Sequence, residues 1–91
     1  MLYVTTYKVK PFMSKADTTE LMAVFAEAGA APGEIAHYVD TDGRGGFVIS
    51  ESDDPLPAYR NTLRYTQWLE FTSTPVVRVE DAVGPILEAL A

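Results

Sequence analysis

At 91 residues, with 47% hydrophobic and 22% charged side chains, the chain has the length and make-up of a single globular domain spanning 1–91, which excludes a disordered or collagenous polymer. Thirteen acidic against seven basic residues give a formal charge of −6, which repels phosphate backbones and anionic membranes, so no nucleic-acid and no membrane partner is expected. The absence of cysteine removes disulfides, a thiolate nucleophile and zinc-thiolate chemistry.

In chain order, Leu2 to Val9 is rich in β-branched and aromatic residues, with apolar side chains on both parities, as in a strand covered on both faces. The run opens without the basic flank and apolar stretch of a secretory signal, and no apolar run nears the roughly 20 residues that span a bilayer, so a cytoplasmic location is the expectation. Pro11 ends the strand. Asp17-Thr-Thr-Glu20 has the spacing of a capping box, and Leu21, Val24, Phe25 and Ala28 then form one helical stripe that Gly29 closes.

The segment from Glu34 to Thr41 reads as a second strand, with Ile35, His37 and Val39 on one face and Ala36 and Tyr38 on the other. Asp42-Gly43 turns the chain into a third strand, Gly46 to Glu51, making a hairpin. Gly43, Gly45 and Gly46 serve backbone geometry in this reading, because a phosphate-cradling loop precedes a helix, whereas this one precedes a strand. Ser52-Asp-Asp-Pro55 supplies an acidic cap with proline at the first helical position, predicting a second helix that buries Leu56, Tyr59 and Leu63. Trp68 falls at or just past its end. Leu69 to Val79 contains Pro75 and is expected to bend there or to run along a sheet edge. Asp81 to Leu90 has a last helical stripe that Gly84 and Pro85 shorten or kink.

This order of elements predicts an α+β, ferredoxin-like βαββαβ fold with a short C-terminal helix: a four-stranded antiparallel sheet with both crossover helices on one face. The strands carry apolar side chains on their second parity too, and little chain remains to cover them. An exposed apolar sheet face usually marks an interface, so two copies are expected to close on each other as a homodimer.

The aromatic-rich first strand, the helix ending in Ala28-Gly29, the hairpin Asp40-Thr-Asp-Gly-Arg-Gly-Gly-Phe47, the approach Glu51-Ser-Asp-Asp-Pro55 to the second helix, and Trp68-Leu-Glu-Phe71 followed by Thr74-Pro-Val76 together resemble the small dimeric α+β-barrel proteins. The likeness spans nearly the whole chain and is nearest to a domain family without assigned function. It implies the fold and a dimeric α+β barrel. The wider superfamily includes cofactor-independent oxygenases and haem-degrading enzymes, whose ligands sit between the sheet and its helices. Haem-degrading relatives use residues of the types of Asn61, Trp68 and His37, but their asparagine belongs on the first strand, whereas Asn61 lies in the second helix, so none of the three is carried over.

His37 is the only histidine, so any imidazole-dependent proton transfer must use it. No motif brings a nucleophile beside it, no cofactor is assigned, and no metal site is expected: Asp40 and Asp42 flank a turn, and Asp53 and Asp54 flank a helix start. Catalytic residues therefore stay unknown. A cavity under the helices is expected to be lined by Tyr7, His37, Tyr59 and Trp68, because ligand sites are mostly apolar with a few placed polar groups. The leading functional reading is a homodimeric, non-catalytic module that binds a protein partner or a small molecule. Its rivals are a cofactor-independent monooxygenase acting on a small aromatic compound, with His37 and a tyrosine handling protons, and an acidic regulator of a host protein.

Overall fold

Strand β1, Leu2–Val9, lies inside the sheet, and the chain builds outward from it. The computed structural model describes residues 1–91. After β1 come α1 (Lys15–Ala28), β2 (Glu34–Val39), β3 (Gly45–Glu51), α2 (Leu56–Leu63), β4 (Leu69–Val76) and α3 (Val79–Leu90). The strands pair in the order β2-β3-β1-β4, and every neighbouring pair is antiparallel. This is the predicted ferredoxin-like sheet. Pro75 sits opposite Tyr3 on β4, an edge strand bonded only to β1, where one missing donor is tolerated.

Register assigns the two faces. Tyr7 lies between Gly46 and Phe71, and Thr5 between Val48 and Ser73, so these residues share the inner face that packs under the helices. The buried apolar core is three side chains, Tyr65, Trp68 and Leu69, and Tyr7, Leu21, Val24, Ala28 and Phe71 pack against it from both layers. On the outer face Val4 pairs with Ile49 and Thr74, Thr6 with Phe47 and Thr72, and Ala36 and Tyr38 continue the surface onto β2. Val4, Phe47, Ile49 and Ala36 are only half-buried, and Tyr38 is exposed.

Several local expectations are corrected. Helix α1 begins nearly a turn earlier than Asp17 as a cap would place it. Ser14 is the cap: its Oγ accepts from the Asp17 amide, and the Asp17 carboxylate accepts from the Ser14 amide, each at 3.0 Å. The box is real, and Asp17 occupies its third position. At α2 the proline falls one place before the first helical residue, and the Asp54 carboxylate accepts from the Leu56 amide at 3.0 Å.

The rotation of α2 differs more. Leu56, Tyr59 and Leu63 are about half exposed or more, whereas Ala58, Asn61 and Thr62 turn inward above the buried Tyr65. The buried anchors, Tyr65 and Trp68, come from the turn that follows α2.

The strand before α3 ends at Val76, and α3 starts at Val79, with Pro85 inside it. None of its residues is buried. Val79, Ile86, Leu87 and Leu90 are more than half exposed, and the molecule measures 56 × 27 × 17 Å, two layers thick and long in one direction. The terminal helix therefore shelters none of the large side chains on its own apolar stripe.

Candidate functional site

Tyr7 and His37 stand on strands that are not neighbours, because β3 runs between β1 and β2. They meet because β3 has no side chain at Gly46, which lies opposite Tyr7 on one side and Val39 on the other. The phenol ring fills that gap: a Cβ on Gly46 would fall 2.5 Å from the Tyr7 Oη and 2.8 Å from its Cζ. The hydroxyl then lies 2.7 Å from His37 Nε2, with the two rings edge to face at 72°.

The β2 irregularity completes the polar end. In a regular strand, residues three apart face opposite sides of the sheet. A bulge between Glu34 and Ala36 inserts one extra residue, so Glu34 and His37 share a face, and Glu34 Oε1 comes 3.8 Å from His37 Nδ1. The extra residue, Ile35, is 56% exposed, which corrects its expected grouping with His37 and Val39. The carboxylate on the Nδ1 side favours the tautomer with a proton on Nδ1, leaving Nε2 to accept from the Tyr7 hydroxyl. Burial, and then the nearby Asp40 carboxylate, raise the Tyr7 pKa above the ordinary phenol value, so Tyr7 is a neutral donor. Burial also raises Tyr65, with Arg64 opposing that shift.

Above this pair lies an apolar cavity of about 340 Å³, open on one side. Helix α1 supplies Leu21 and Phe25, with the Phe25 ring 6.0 Å from His37, and the sheet supplies Val48 and Phe71. Of the four residues expected to line a pocket, Tyr7 and His37 are in this wall. Tyr59 is on the outward side of α2, 58% exposed, and Trp68 is buried in the core beside the cavity. The Trp68 indole N–H has no hydrogen-bond partner, so burying it carries a cost of about 1–3 kcal/mol against the area the ring removes from water.

The chain matches the family model described as Domain of unknown function (DUF3303) over residues 1–90. It belongs to that family. No curated protein matches the chain. In this DUF3303 chain the α2 side of the cavity includes Asn61 and Tyr65. Neither was among the expected lining residues. They share the helical face Ala58, Asn61, Thr62, Tyr65, but the apolar pattern points to the face with Leu56, Tyr59 and Leu63, so no sequence signal marked them. No three His, Asp or Glu side chains of the DUF3303 chain converge as metal ligands must.

Proposed function

We infer that the protein is a homodimeric module that binds a small, mostly apolar molecule between the sheet and its helices. The observation that carries this reading is the cavity: about 340 Å³, walled largely by aliphatic and aromatic side chains, with one hydrogen-bonded polar pair at its floor. That volume falls at the small end of ligand sites, which run from roughly 300 to 1,000 Å³. The residues that frame it are constrained by backbone features, the bulge at Ile35 and the side-chain gap at Gly46, so the polar pair is positioned before any ligand arrives.

The dimer part rests on surfaces that one copy leaves wet. Val4, Phe47, Ile49 and Tyr38 form a contiguous outer face, and α3 exposes a second apolar stripe. A second copy supplies the same chemistry about a two-fold axis, and two-fold dimers are the commonest oligomers of soluble chains. Light scattering at low micromolar concentration is expected to give twice the 10.0 kDa chain mass, and a monomer mass refutes the dimer. The binding part is tested by calorimetric titration of small aromatic compounds into the wild type and into Val48→Trp, which fills the cavity. Binding lost in the variant, with its melting transition retained, supports the reading. Equal binding by both proteins refutes it.

A further inference from the structure

The polar inventory of the cavity is one-sided. Its wall contains the carboxylates of Glu34 and Asp40, the phenols of Tyr7 and Tyr65, the His37 ring and the Asn61 amide, and no lysine or arginine. Lys8, Lys10 and Arg44 line a neighbouring groove that shares Val9, Asp40 and Gly43 with the cavity, so Asp40 stands among basic side chains, and Arg64 acts on Tyr65 from outside the wall. None of the three groove residues forms an ion pair with Glu34, and the Lys10 ammonium is held by the Thr66 carbonyl at 2.6 Å. Glu34 is thus the carboxylate at the polar end of the cavity, faced by His37 and by no lysine or arginine, while Tyr7, Phe25, Tyr65 and Phe71 provide ring faces whose quadrupoles attract positive charge.

We propose that the cavity selects a small amphiphilic cation, an aryl- or alkylamine whose hydrocarbon part fills the apolar wall and whose ammonium meets the Glu34 carboxylate beside His37. This rests on the reading of the cavity as a ligand site and adds its chemical class. A carboxylate or phosphate of the same shape meets the Glu34 charge with no lysine or arginine in the wall to offset it, so it is disfavoured. The volume of about 340 Å³ accommodates a one- or two-ring amine.

The test uses three probes with one ring and similar length: 2-phenylethylamine, 2-phenylethanol and phenylacetate, each titrated into the full chain by calorimetry. The amine is expected to bind about fivefold tighter than the alcohol or better, as suits partly solvated charge pairs, with phenylacetate weakest. Glu34→Gln is expected to narrow the gap between amine and alcohol while leaving alcohol affinity unchanged, and Asp40→Asn, past the other end of β2, is expected to narrow it less. Alcohol binding as tight as the amine, or phenylacetate binding tightest, overturns the cation proposal and leaves the small-molecule reading standing. Failure of all three probes to bind at millimolar concentration, with the Val48→Trp control equally silent, overturns both.

Discussion

The two faces of the sheet are made by the same alternation of residues, yet they end in different states. On the inner face Leu69 joins Tyr65 and Trp68 in the one buried apolar cluster, and Tyr7, Val9 and Phe71 pack against it half-buried. On the outer face Val4, Phe47 and Ile49 are about as apolar and equally half-buried, with no buried cluster to pack against. Side-chain character does not separate the faces. Cover does. A chain of 91 residues has enough helix to roof one side, and α3, the helix left over, is itself uncovered. Small domains bury a smaller fraction of their surface, so a core of three buried apolar side chains leaves the stability of one copy thin.

The largest way to break this contrast is to remove the inner anchor. Trp68→Ala is expected to cost about 3–5 kcal/mol, most of the stability of a domain this size, and chemical denaturation should show a much lower midpoint or no folded baseline. Trp68→Phe keeps most of the ring area and removes the unpartnered N–H, so its loss should be much smaller; equal losses from the two variants would show that the ring does not anchor the core.

An outer-face counterpart is Ile49→Glu, on a half-buried, solvent-facing position. One copy alone tolerates it, whereas an apolar interface does not. The expected result is a shift from dimer to monomer mass, with circular dichroism retaining the helix and strand signal. An unchanged dimer would move the interface away from this face.

Gly46→Ala probes the inner face more finely. The added carbon collides with the Tyr7 phenol and, closer still, with the Tyr38 carbonyl oxygen of β2, so the ring must leave His37 and the β2–β3 pairing must shift, and about 1–3 kcal/mol of stability or more should go with them. The readout specific to position is the His37 ring NMR signal, which should respond to Gly46→Ala as it does to Tyr7→Phe.

The smallest effects are those of pH, and they act at opposite ends of the scale. Because the folded-state pKa of Tyr7 lies above the ordinary 10.0, its contribution is intact below that value and is lost as pH rises through the higher folded value. Tyr7→Phe should flatten that alkaline decline. Asp17 behaves in the reverse sense: hydrogen bonds from the Ser14 amide and hydroxyl hold its pKa below the ordinary 3.8. Its contribution is present above that value and fades as pH falls through the lower folded one. Ser14→Ala keeps the backbone amide, the larger cause, and loses the hydroxyl, so it should lessen this acid dependence, and the lost cap should lower stability by about 1 kcal/mol, read from thermal melts across acid pH.

Much of the site was legible in the residues. Tyr7 and His37 belong to strands whose inner parity could be read by alternation, and both stand in the cavity wall. The rest depended on offsets that alternation does not carry. An extra residue at Ile35 reverses the face of everything before it, which is how Glu34 joins His37, and nothing in Glu34-Ile-Ala-His37 marks a bulge. In α2, apolar Leu56, Tyr59 and Leu63 suggested the buried stripe, but the helix turns Ala58, Asn61 and Thr62 inward, so Asn61 lines the cavity and Tyr59 faces water.

The sequence by itself determined the order of the elements, the hairpin at Asp42-Gly43 and the ferredoxin-like sheet, because these follow from turn chemistry and periodicity within a few residues of each other. Only the tertiary structure decided which helix face turned inward, that β2 bulges, and that α3 stands apart. Those outcomes depend on how side chains from distant parts of the chain share space, which no local pattern encodes.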